Sequence, residues 1–83
     1  MNPYSEIKQE RKRQNAKFGI QHRSLIEWCV ILGEEVGEVN RAAMEIHFKD
    51  EYKFYNGDIK DFRKELIQVA AVCVQIIEDI DKT

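Results

Sequence analysis

Eighty-three residues fit a single domain spanning 1–83 and leave little room for a self-sufficient core, so association between copies is expected from size alone. A hydrophobic content of 43% beside 34% charged residues excludes a disordered chain, and no apolar run is long enough for a membrane span. The net charge of -2 is uneven: residues 1–24 carry six basic and two acidic side chains, the remainder seven basic and thirteen acidic, and the pI of about 5.7 disfavours a nucleic-acid partner.

In chain order, Asn2 as N-cap, Pro3 at the first helical position and Gly19 as a stop predict a helix from about Pro3 to Phe18. Its apolar positions Tyr4, Ile7 and Phe18 are sparse, so it should lie on the surface or across a partner. Ser24 followed by Glu27 is a capping-box pattern, opening a second helix that continues to about Phe48. Leu25, Cys29, Leu32, Val36, Val39, Ala43 and Ile46 recur there at alternating spacings of four and three, the period of an amphipathic helix. KDEYKFYNG, residues 49–57, has turn chemistry, and Asp58 can cap a third helix to about Ile80.

The third helix contains LIQVAAVCVQII, in which ten of twelve residues are apolar. Such a helix is buried on several sides, and in a chain this small part of that surface should meet another subunit. The fold expected is therefore all-α, a bundle of about three helices per chain completed by homo-oligomerisation. Cys29 and Cys73 sit in apolar runs without a CxxC pattern, so they read as small core residues in a reducing compartment. The first twenty residues lack the apolar stretch of a signal peptide, which favours a cytoplasmic protein.

Acidic residues occupy positions where a purely structural helix would place leucine. At about 100° per residue with Leu32 at zero, Glu35 falls near 300° and Glu38 near 240°, among Trp28, Ile31, Val39 and Ala42. Glu34, at about 200°, sits further toward the polar side. On the third helix, with Phe62 at zero, Glu65 and Gln68 fall at about 300° and 240°, flanked by Val69, Val72 and Ile76. If the two helices pack antiparallel through these stripes, Glu35, Glu38, Glu65 and Gln68 converge. Converging carboxylates withdrawn from water repel one another unless a cation offsets them, and Mg²⁺, or Mn²⁺ in its place, suits such hard oxygen ligands. The alternative is that Glu35 and Glu38 form exposed intrahelical pairs, with Arg41 or Ala42 beneath them.

Glu34-Glu35-Val36-Gly37-Glu38 and Glu65-Leu66-Ile67-Gln68 resemble the EExxE and ExxD pair of the MazG-like all-α nucleotide pyrophosphohydrolases. RKRQNAKFGIQ, from Arg11 to Gln21, is similar to a Lys-Trp-Gly-x-Gln segment of that family, with Phe18 in place of Trp; Trp28, ILGEEVGE and ELIQVAAVCVQIIE fit the same pattern. The likeness covers roughly residues 7–80. It implies a bundle built by a homodimer or homotetramer, Mg²⁺ held by Glu35, Glu38 and Glu65 with Gln68 ligating weakly or through water, and hydrolysis of a nucleoside triphosphate to monophosphate and pyrophosphate. Gln68 departs from the pattern, since a neutral amide offers a metal only its oxygen; Asp61, one turn before Glu65, is a possible substitute, though it reads better as an exposed first-turn residue.

On this resemblance Glu34 is the candidate to orient or deprotonate the attacking water. Lys17, with Arg13 or Arg23, is a candidate for phosphate oxygens; Phe18 and Trp28 for stacking on a base; Gln21 for a base edge. The bland readings are surface cations, core aromatics and a loop amide. Neither His22 nor His47 is given a role, and the Glu-x-His spacing at His47 differs from the Glu-x-x-His of di-iron bundles. The rival function is a non-catalytic helical module that oligomerises or binds nucleotide.

Overall fold

The computed structural model describes residues 2–52 and 55–82. Three helices account for most of them, with no strand among the described residues: α1 (Pro3–Phe18), α2 (Leu25–His47) and α3 (Ile59–Asp81). Each begins where its capping residue dictates. Asn2 accepts a hydrogen bond from the Ser5 amide at 2.9 Å, and Asp58 accepts one from the Asp61 amide at 2.9 Å. Ser24 and Glu27 form a reciprocal capping box, 3.2 and 3.0 Å, satisfying two amides that the first turn of α2 would otherwise leave bare. Gly19 ends α1 at φ 73°, a conformation that costs glycine nothing.

Helix α2 stops at His47, and Phe48 accepts hydrogen bonds from the Glu51 and Tyr52 amides in the turn that follows. Lys53 and Phe54 of the expected turn segment lie outside the described residues. Beyond them Gly57 presses against the end of α2, where an added Cβ would stand 2.8 Å from the Glu45 Cβ, so only glycine fits.

Helix α3 is the central element, with α1 and α2 both packed on it. Trp28 meets Asp79, and Glu35 lies beside Glu65, so α2 and α3 run antiparallel. Glu6 pairs with Arg63 and Arg11 with Glu78, so α1 runs in the direction of α3. Among the described residues no helix is long and apolar enough to cross a membrane.

The hydrophobic core is small: among the described residues, Trp28, Ala42, Ala71 and Val72 are the buried apolar side chains. Where α1 packs on α3, buried Arg11 donates to Glu78 of α3 and to Gln14 and Asn15 of its own helix at 2.7–3.0 Å. One expectation needs correction. Cys29 is exposed, not a core residue, because α2 turns that face away from α3. The apolar run of α3 is only partly enclosed within the chain, with Leu66, Val74 and Ile77 exposed, which leaves the expected further surface uncovered.

Candidate active site

Antiparallel packing of α2 on α3 brings the acidic side chains of both helices together. Carboxylate oxygens of Glu35, Glu38 and Glu65 all lie within 4.8 Å of one another. Glu35 Oε2 is buried and has no hydrogen-bond partner, an arrangement that costs free energy in a bare protein. Burial, reinforced by the charges of Glu38, Glu65, Glu10 and Glu34, raises the Glu35 pKa above the usual carboxylate range. The Glu65 pKa is raised by burial and by its hydrogen bond and charge repulsion with Glu38. These are the properties of a donor set short of positive charge. A hard divalent cation fits it: Glu35, Glu38 and Glu65 would be its ligands, and the orphaned Glu35 oxygen would gain a partner.

The remaining acidic candidates differ in placement. Glu34 is exposed and lies outside this trio, although its charge still acts on Glu35. Asp61 is exposed in the first turn of α3, with its charge felt at Glu65.

Beside the carboxylates lies a cavity of about 370 Å³ whose wall includes Glu35, Gln68, Lys17, Phe18, Gln21 and Trp28. Helix α1 supplies Lys17 and Phe18 at its last turn, the connecting segment supplies Gln21, and the first turns of α2 supply Trp28. Phe18 is 58% exposed, with the Lys17 ammonium 5.1 Å from its ring centre, so the pair forms an open rim. Trp28 is 2% exposed and hydrogen-bonded, so it is a fixed wall as well as a core residue.

What fixes it was not foreseen from sequence. Asp79, itself 4% exposed, accepts hydrogen bonds from Trp28 Nε1 at 2.7 Å and the Arg23 amide at 3.2 Å, and pairs with His22 Nδ1 at 2.8 Å. One carboxylate thus ties the segment carrying Gln21 to the indole and to α3. The His22 hydrogen bond, then those of Trp28 and the Arg23 backbone, lower the Asp79 pKa to about 2. An acidic residue near a helix C-terminus ordinarily reads as solvated, and only the position of Trp28 could have hinted otherwise. Glu10 was also missed: it is paired with Arg13, yet its charge reaches Glu35 from a third helix.

No family model, curated protein or solved structure matches this chain.

Proposed function

We propose that the chain is a divalent-metal-dependent nucleoside triphosphate pyrophosphohydrolase of the MazG-like kind, with Mg²⁺ as the expected ion and nucleotide-pool housekeeping as its role. The observation that carries the proposal is the carboxylate trio, with one buried unpartnered oxygen, at the edge of a cavity walled by Lys17, Phe18, Gln21 and Trp28. A bound cation would neutralise charge on the leaving pyrophosphate and acidify water. Glu34, exposed and adjacent in sequence to Glu35, orients the attacking water and accepts its proton as the bond between the α-phosphorus and the bridging oxygen breaks. Lys17 offsets phosphate charge, Phe18 and Trp28 flank the base, and Gln21 meets its edge. Gln68 contributes at most a neutral oxygen.

The assembly proposed is a homodimer or homotetramer. A folded monomer of 9.8 kDa should expose about 5,200 Å², whereas this chain exposes 6306 Å². The excess is of the order of one partner's share, about 800 Å², of a stable interface. Two apolar seams provide that surface. Leu25, Cys29, Val36 and Ala43 on α2 are exposed, as are Ile59, Leu66, Ile77 and Ile80 on α3, all at heptad-like spacing. A second α2–α3 hairpin laid on the first would cover both seams and close a four-helix bundle. Sedimentation at micromolar concentration should give a species of at least two chains; a monomer would overturn this part of the proposal.

The test of the chemistry is pyrophosphate release from a panel of canonical and modified nucleoside triphosphates with Mg²⁺. Glu38→Gln should lower turnover by about a hundredfold or more with little effect on folding, because Glu38 is exposed. Undiminished release would contradict the assignment. Gln68 favours a second reading, a binding module without turnover. In that case Mg²⁺ and nucleotide raise the thermal midpoint while no pyrophosphate appears.

A further inference from the structure

A larger cavity, of about 610 Å³, opens between α1 and the first turns of α3, and nothing proposed so far uses it. Four cations border it: Arg13 on α1, and Lys60, Arg63 and Lys64 on α3. Its acidic neighbours, Glu6 and Glu10, are already engaged, Glu6 with Arg63 and Glu10 with Arg13. Those pairs leave both guanidinium groups half exposed at the lining of the groove. Lys60 and Lys64, one turn apart and lining the same groove, form no ion pair among the described residues.

The position of this groove gives the positive charge a purpose. Arg13 and Gln68 border both this cavity and the smaller one, so the two are neighbours across a shared wall. Lys64 lines the groove and directly precedes Glu65 of the carboxylate trio. Along α3 the order is Gln75 and Val72 at the small cavity, Gln68 at the shared wall, Glu65 in the trio, then Lys64 and Lys60. From Val72 to Lys60 the helix rises about 18 Å.

We infer that the α1–α3 groove is a polyphosphate site, receiving the β- and γ-phosphates of a nucleotide whose base lies in the smaller cavity and whose α-phosphate lies at the carboxylates. The placement of the nucleotide rests on the function proposed above; attraction of a diphosphate chain by the groove does not. Lysine ammonium groups act as mobile point charges for phosphate oxygens, and the flanking arginines retain free donors for the same ligand. The site selects triphosphates over monophosphates because only they reach Lys60 and Lys64.

The test is calorimetric titration with inorganic pyrophosphate, without a divalent ion so that the carboxylates do not contribute, on the wild-type chain and on Lys60→Gln/Lys64→Gln. Neither lysine makes a side-chain hydrogen bond or ion pair among the described residues, so helicity and thermal midpoint should be unchanged. The double variant should bind pyrophosphate about tenfold more weakly or worse, and wild-type binding should weaken as salt is added. Equal binding by both proteins, or none by wild type, overturns the site. Wild type that binds pyrophosphate through the lysines but releases none from any nucleotide sinks the proposed function and leaves the groove standing. Turnover with lysine-independent pyrophosphate binding does the reverse.

Discussion

Asp79 and Glu35 each withdraw a carboxylate oxygen from water at the junction of α2 and α3, and the chain treats them in opposite ways. Asp79 near the end of α3 has three partners, from an indole, an imidazole and a backbone amide, and its pKa is lowered to about 2. Glu35, midway along α2, has a buried oxygen with no partner, and burial, reinforced by the charges of Glu38, Glu65, Glu10 and Glu34, raises its pKa. An anion satisfied this fully stabilises the fold, whereas one left short of donors and surrounded by like charge destabilises it until something positive arrives. The first arrangement belongs to architecture and the second to function. The two are coupled in space, since Trp28, held by Asp79, and Glu35 wall the same cavity.

The comparison breaks most visibly at Trp28. Trp28→Ala removes the largest buried side chain and leaves Asp79 short of a donor, a loss of about 3–5 kcal/mol. For a chain this small that approaches the whole folding free energy, so circular dichroism should show a largely unfolded protein or a steep fall in denaturation midpoint. Asp79→Asn should lower the midpoint less, because an amide retains one acceptor oxygen but brings a donor where donors already crowd. Trp28 is the sole tryptophan, so its fluorescence should shift to the red as the indole gains access to water. Unchanged emission would mean that Asp79 does not hold the wall.

Glu35→Gln should move stability the other way. Without a divalent ion, removing a repelled charge raises the midpoint, while with Mg²⁺ present the variant loses the extra stabilisation that binding gives the wild type. The pH dependence separates the two carboxylates in a single experiment. The pKa of Asp79 lies below the unfolded value of about 3.9, so its contribution is complete above that pH and is lost as pH falls toward about 2. Those of Glu35 and Glu65 lie above the unfolded value of about 4.3, so their contribution is complete below it and is lost as pH rises through the raised values. With a chelator present, stability should therefore rise from strong acid, pass a maximum, and fall on the alkaline side. Added Mg²⁺ should remove the fall and leave the acid limb intact; a fall that Mg²⁺ does not touch would argue against the trio as its site.

The helices were legible because their determinants are local: Asn2, Ser24 with Glu27, and Asp58 each specify a cap within three residues. The convergence of Glu35, Glu38 and Glu65 was legible as a geometric consequence of helical period, given antiparallel packing. The Asp79 node was not, because its partners lie 51 to 57 residues away and one of them is a backbone amide, which no side-chain pattern announces. The same holds for α1. Its sparse apolar positions suggested a helix on the surface or across a partner, yet Arg11 and Gln14 are buried, hydrogen-bonded to each other, and Arg11 reaches α3 through Glu78. Cys29 was misjudged because membership of an apolar stripe does not say whether the stripe meets its own chain or open surface.

The smallest effect tests how the Asp79 node divides its work. The His22 bond is a leading cause of the lowered Asp79 pKa, yet the imidazole is 76% exposed and competes with water, while the indole bond is buried. Exposed ion pairs contribute little to stability, so His22→Ala should lower the thermal midpoint by no more than about 3 °C at neutral pH. The variant should still soften the acid limb, because Asp79 then protonates at higher pH as denaturation begins. A drop matching that of Asp79→Asn would mean that the connecting segment is held through His22 rather than through the Arg23 amide and Trp28, and that the cavity wall near Gln21 depends on a bond open to solvent.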